Sequence, residues 1–200
     1  MLNSLLLSGG AVALIIVGVV ALLAIIVAVW WISTRNDFVR LKNRVEEGWA
    51  TIDVYLKKRF DLIPNLVETV KGYTKHESET LKNVIEARNM GATAASREEA
   101  MQADKAMSSS LRTLFTAVSE SYPDLKASKN FLDLQDQLKD IESELSSARR
   151  YYNGIVKTFN TKLELFPANI VGKRMGEGYE RKTYFELDSA EERKSVKVSF

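Results

Sequence analysis

The chain has 200 residues, with 28 Lys and Arg against 26 Asp and Glu. That near balance offers nothing to a nucleic acid, whose binding needs a clustered basic excess. The absence of Cys excludes disulfides, thiolate metal sites and thiol nucleophiles, and three Pro among mixed charged and apolar residues describe packed helices rather than disorder or a β-sandwich.

Residues 1–32 carry no Lys, Arg, Asp or Glu. After a short N-terminal segment (1–10), Ala11 to Ile32 is an unbroken run of apolar and small residues. At ~1.5 Å per residue it is long enough to cross a ~30 Å hydrocarbon core. A cleaved signal peptide is the competing reading, but a basic n-region is missing, the run exceeds the usual ~7–15 residue apolar region, and Trp30-Trp31 stands where small residues belong. Trp30 and Trp31 read as an interfacial belt. Arg35, Arg40, Lys42 and Arg44 follow the span and only the α-amino group precedes it, so the positive-inside rule puts the N-terminus outside and the following domain in the cytoplasm. Ala11, Gly18, Ala21 and Ala28 share one seam, a small-residue face of the kind that lets membrane helices pack, though such residues are common in any span.

From Phe38 the apolar residues recur at steps of three or four through Leu41, Val45, Trp49, Ile52, Leu56, Phe60, Ile63, Val67 and Val70 to Tyr73, then weaken at Glu77 and resume at Leu81. Pro64 lies inside this run, where a helix loses a hydrogen bond and gains a clash. Either the chain turns near Asp61, which then caps a new helix, or one long helix kinks at Pro64; the lack of Gly or a loop before Asp61 favours the kink. Gly91 to Ser96 reads as a loop. Arg97 to Tyr122 carries Met107, Leu111, Leu114, Phe115 and Val118 on one face and stops at Pro123. A third segment, with Ser128 as its N-cap, runs through Phe131, Leu134, Leu138, Ile141, Leu145, Ala148, Tyr152, Ile155 and Phe159. A coiled-coil dimer is one use of that stripe. The expected fold is instead all-α: a transmembrane helix (11–32), an antiparallel bundle of three to four long helices (33–167), and an extended tail (168–200) anchored by Tyr179, Tyr184, Phe185 and Phe200.

Catalytic chemistry is hard to find. His76, the only His, begins a stretch that starts like HExxH, yet Thr80 stands where the second ligand belongs. The same stretch matches a histidine-kinase phosphoacceptor box at three positions, without an ATP-binding domain to serve it. Glu46-Glu47, Glu98-Glu99 and Glu191-Glu192 are neighbours that diverge by ~100° on a helix, so they form no shared-proton dyad. Glu46 and Glu77, as lone carboxylates, have no base or nucleophile beside them. The stretch from Gly172 to Gly178 lacks the P-loop pattern, and Glu177 would oppose a phosphate. The expectation is a non-enzyme with no catalytic residues, cofactor or metal. Lys57-Lys58-Arg59 is a basic run, either a solvated face or a surface for a partner or for anionic headgroups at ~1 kcal/mol per cation. Arg149-Arg150 flank the seam residue Tyr152 and suit an interhelical contact to a carboxylate.

Three stretches resemble one family in order and in wording. LKNRVEEGWATIDVYLKKRFDLIPNLVETVKGYTKHE (Leu41 to Glu77), AVSESYPDLKASKNFLDLQDQL (Ala117 to Leu138) and ARRYYNGIVKTFNTKLELFPANIV (Ala148 to Val171) are similar to the LemA family of bacterial membrane-anchored proteins. The signature positions are Asp61, Pro64, Asn65, Tyr122, Pro123, Arg149, Arg150, Tyr152, Asn153, Phe166 and Pro167. Phe60, Ser121 and Tyr151 depart from the family's usual residues. The resemblance implies a single anchor in the bacterial inner membrane and a helical bundle, and it brings no catalytic activity. The functional expectation is a single-pass scaffold that self-associates or binds protein partners at the bilayer. Alternatives are a lipid-surface or membrane-shaping module and, by association with neighbouring genes, an adaptor of a membrane protease.

Overall fold

A computed structural model of the chain describes residues 9–73 and 79–185. Among the described residues there are six helices and no strand: α1 (Gly9–Lys71), α2 (Glu79–Thr93), α3 (Arg97–Ser121), α4 (Pro123–Lys126), α5 (Lys129–Glu164) and α6 (Ala168–Arg174). The expectations placed on His76, Glu77, Glu191, Glu192, Phe200 and most of the N-terminal segment lie outside the described residues.

Local chemistry sets most of the boundaries. α1 passes through Pro64 as one 63-residue helix, so the chain makes no turn at Asp61. Pro64 is exposed, which keeps its ring out of the packed face, and Ile63, Leu66, Val67 and Val70 around it are buried. The helix ends instead at Gly72, a poor helix former, whose N–H donates to the Glu68 carbonyl at 3.2 Å. At the start of α3 the Ser96 Oγ accepts from the Glu99 N–H at 3.2 Å while Glu99 Oε2 accepts from the Ala95 N–H at 2.7 Å, a reciprocal cap that satisfies two orphan donors. Pro123 ends α3 and occupies the first turn of α4, where its missing N–H costs nothing. The Phe166-Pro167 peptide is cis. Residues 168–174 are helical, which corrects the extended tail expected from 168 onward: Val171 and Gly172 are buried, so a short amphipathic turn gains packing that an extended chain would forgo.

Contacts group the chain into two compact units, and the grouping does not follow chain order. One holds residues 9–45 with Val156–Lys182; the other holds Glu46–Ile155 with residues 183–185.

In the first unit α1 and α5 meet through Phe38 and Phe159, both buried, with ring centroids 6.2 Å apart and edge to face. α6 lies close over them because Gly172 has no side chain: a Cβ there would stand 2.8 Å from Leu163 Cδ2 and 3.1 Å from Phe38 Cζ. Asn160 holds the following chain by a two-point clamp, its Nδ2 donating to the Lys182 carbonyl at 2.9 Å and its Oδ1 accepting from the Lys182 N–H at 2.8 Å. Along α1, by contrast, the large apolar side chains from Val12 to Val29 are exposed, up to 75 % at Leu14.

Lys162 Nζ donates to Asp37 Oδ2 at 2.8 Å. That hydrogen bond, opposed by partial burial and aided by the charges of Lys162 and Arg40, holds the Asp37 carboxyl below its ordinary value. A lowered folded-state value stabilises the fold above the unfolded value near pH ~4, and the gain disappears as pH falls through the folded value. Asp37 is nearly half exposed, so solvent screens the pair to under about 1 kcal/mol. Thermal melts of the wild type and Asp37→Asn should therefore differ slightly at pH 7 and draw together as pH falls from ~4 through the folded value; a gap that does not narrow in acid would assign the effect to something other than this carboxylate.

In the second unit the core is built from Ile52, Leu56, Ile63 and Leu66 of α1, Leu81 and Val84 of α2, Met107 and Leu114 of α3, and Leu145 and Tyr152 of α5. The 3-4 seams therefore face inward; Trp49, Phe115 and Ile141 are half-buried and Tyr73 is exposed. A Cβ on Gly48 of α1 would stand 3.5 Å from Tyr152, and Tyr55 bonds Glu144 at 3.3 Å, so position falls along α5 as it rises along α1. The two helices run in opposite directions.

Candidate functional site

The second unit buries a group of charges contributed by three helices. Arg59 Nη1 of α1 donates to Asp104 Oδ1 of α3 at 2.9 Å and to Ser108 Oγ at 3.1 Å, and lies 3.0 Å from Glu142 Oε2 of α5. Arg149 of α5 donates through Nη2 to Asp104 Oδ2 and through Nη1 to Glu142 Oε1 at 3.2 Å. Two guanidiniums and two carboxylates make the group neutral. Burial pushes the Asp104 carboxyl up and Glu142 adds to that, while Arg149 and Arg59 pull it down. Burial wins, so the Asp104 carboxyl lies above its ordinary value, while the guanidinium on each of its oxygens favours the charged form. Every charge has an opposite neighbour, so the group joins three helices instead of presenting a reactive group to solvent.

This arrangement removes Arg59 from the basic run expected at 57–59. Consecutive helical positions point ~100° apart, so one of three must turn toward the seam, and it is Arg59. Lys57 and Lys58 are exposed, and the Lys58 ammonium sits 5.3 Å from the centre of the Tyr55 ring.

Beside the charges lies a groove that the chain itself fills. Phe185 stacks on Trp49 with centroids 6.2 Å apart, and the Arg149 guanidinium covers the Phe185 ring at 4.8 Å. Asn153 reads the backbone of that residue at both ends, Nδ2 donating to the Phe185 carbonyl at 2.9 Å and Oδ1 accepting from its N–H at 2.8 Å. The Tyr152 hydroxyl donates to the Thr183 carbonyl at 3.1 Å. Burial pushes the Tyr152 phenol up against the pull of Arg97, so it remains a donor at neutral pH. Arg97 also lies 5.2 Å from the centre of the Trp49 ring and pairs with Glu46. A cleft of about 530 Å³ opens there, lined among others by Asp53, Lys57, Phe60, Asp61 and Arg88, a mixture of both charges.

The signature residues thus separate by role. Arg149, Tyr152 and Asn153 converge on the docked segment, whereas Arg150 is exposed and bonds Ser147 at 3.2 Å. Asp61 borders the cleft; Pro64 and Asn65 are exposed on α1; Tyr122 and Pro123 mark the break between α3 and α4; Phe166 and Pro167 are exposed. Among the described residues Ala11, Gly18, Ala21 and Ala28 have no packing partner on another helix, with open space around Gly18, and Trp30 and Trp31 stand edge to face at 6.4 Å. Among the described residues no group of His, Cys, Asp and Glu could hold a metal ion. Sequence reasoning missed Asp104 altogether. Its one signal is position: it follows Ala103 and precedes Met107 by a helical step of three, on the edge of the apolar face.

A LemA protein of Metamycoplasma hominis is 26 % identical over 145 residues, which cover 72 % of this chain and 66 % of that protein. Two magnetosome proteins of Paramagnetospirillum magneticum, MamQ 1 and MamQ 2, are each 22 % identical over 200 residues, covering 87 % of this chain and 72 % of theirs. The chain spans about two thirds of the Metamycoplasma relative's length. The sequence model of the LemA family matches residues 48–200, which takes in the buried charges, the groove and the segment that fills it, and the chain belongs to the LemA family.

Proposed function

We propose that this protein is a non-enzymatic scaffold, anchored in a membrane by α1, whose helices close as an antiparallel bundle that holds protein partners or further copies of itself at the bilayer. The observation that carries the proposal is α1 itself. Its most apolar 18-residue window has a mean hydropathy of 3.4 and is not buried at all, while the same helix continues into a packed core. In water, that apolar cylinder would expose side chains worth ~1.5–3 kcal/mol each on burial; in lipid the backbone is satisfied within the helix and the side chains are solvated. The cations after the span favour a cytoplasmic bundle at the inner membrane. The relatives' names state no reaction. The internal pairing of the buried charges also favours an architectural use over a catalytic one.

Crosslinking in intact membranes, followed by affinity purification in detergent, tests this reading. Multimers of the chain or a stoichiometric partner, a membrane protease among the possibilities, are the expected products. An exclusively monomeric protein that purifies alone would sink it.

A further inference from the structure

Three large apolar side chains are exposed within six residues where α5 gives way to α6: Leu165 at 59 %, Phe166 at 80 % and Ile170 at 44 %. Single exposed apolar residues need no explanation, but a cluster marks a contact surface.

Its height along α1 follows from the register inside this unit. Asp37 bonds Lys162 and Phe38 meets Phe159 while the two helices run oppositely, so Phe166, four residues beyond Lys162, comes level with Ser33, the first residue after the apolar run. A second observation gives the same level. α6 returns to α1 with the Arg174 guanidinium 5.6 Å from the centre of the Trp31 ring, and Trp31, Arg35, Val171 and Arg174 border a cleft of about 250 Å³. Arg35 lies only ~4.5 Å along the helix from Ile32, within the depth of a headgroup layer. Arg35, Lys173 and Arg174 are exposed, and among the described residues none has a carboxylate within 4.0 Å. Unpaired cations and apolar side chains at one level are what the edge of a bilayer accommodates: long basic side chains keep their charge among phosphates while rings and aliphatic groups enter the acyl boundary.

We propose that the α5–α6 junction is a second membrane contact, in which Leu165, Phe166 and Ile170 enter the headgroup–acyl boundary of the bilayer that α1 crosses, and Arg35, Lys173 and Arg174 hold the phosphodiesters of anionic lipids. This rests on α1 as the span. The consequence is attachment at two points, which fixes the rotation of this unit about α1 where a single helix would leave it free to swivel.

The chain has no native Cys, so single-Cys variants of the full-length protein can report depth in nanodiscs of phosphatidylcholine and phosphatidylglycerol. Fluorophores at Phe166→Cys and Ile25→Cys would be exposed in turn to aqueous iodide and to lipids spin-labelled near the headgroup or deep in the acyl chain. The expected result is that iodide reaches neither label, that position 166 is quenched by the shallow spin label, and that position 25 is quenched by the deep one. Iodide access at 166 alone would overturn the second contact and leave the span standing, whereas access at 25 would remove the span and the contact with it. A label at 166 shielded from iodide but untouched by either spin-labelled lipid would show that protein, not lipid, covers the junction, and would also overturn the proposal. For the cations, the preference of motionally restricted spin-labelled phosphatidylglycerol over phosphatidylcholine should fall about fivefold for each of Arg35→Gln and Arg174→Gln, the effect of one cation at an anionic surface. An unchanged preference in the double variant would refute their part in it.

Discussion

Replacing Asp104 with Ala should lower the unfolding free energy by about 3–5 kcal/mol, because it leaves two guanidiniums inside the second unit with one shared, partly exposed carboxylate between them. Loss of side-chain volume alone would not reach that figure for so small a residue; the stranded charge accounts for it. The attribution is checked by neutralising the whole group. Arg59→Met and Arg149→Met introduced with Asp104→Leu and Glu142→Gln remove the desolvation cost together with the attraction, and should recover most of the loss, since buried ion pairs and apolar replacements of similar volume often lie close in free energy. Urea unfolding of the full chain in detergent, followed by far-UV circular dichroism, measures both. A quadruple variant no more stable than Asp104→Ala would mean that the group does more than balance its own charges.

Gly91→Ala should cost about 1–3 kcal/mol although it adds only a methyl group and improves helix propensity. A Cβ at position 91 would lie inside the contact distance of the Phe60 ring, 2.9 Å from Cδ2 and nearer still to Cε2 and Cζ. A buried aromatic ring against the α2 backbone cannot withdraw as the end of a Lys side chain can. Introducing Phe60→Leu into the same chain shortens the side chain and should remove most of the penalty. The coupling between the two substitutions, read from a double-mutant cycle of thermal melts, is the decisive quantity; additive effects would place the strain elsewhere.

Several elements were legible in the residues because a local rule produces them. The apolar run before Trp30, the 3-4 seams of α1, α3 and α5 and the stop at Pro123 all follow from side-chain spacing or from a backbone group that needs a partner. Pro64 was ambiguous for a local reason: in its own few residues, a kink and a new helix start are similar in cost. What decides is burial further along, since continuing α1 puts Ile63, Leu66, Val67 and Val70 into the core on one seam. The α6 helix was hidden in the same way, because seven residues show too little periodicity to stand out and its stability comes from Val171 and Gly172 against α1 and α5.

The sequence by itself determined the helical class, the membrane-length apolar segment, the inward seams and the family, because each rests on composition or on spacing within one stretch of chain. Only the tertiary structure decided that Arg59 leaves the surface run for Asp104, that Asn153 and Trp49 hold the backbone and ring of Phe185, and that the α5–α6 junction comes level with the end of the apolar run. The reason is the same in each case. A side chain at the edge of a seam takes its role from the group it meets on another part of the chain, and that group lies from 32 (Asn153 to Phe185) to 136 residues away (Trp49 to Phe185).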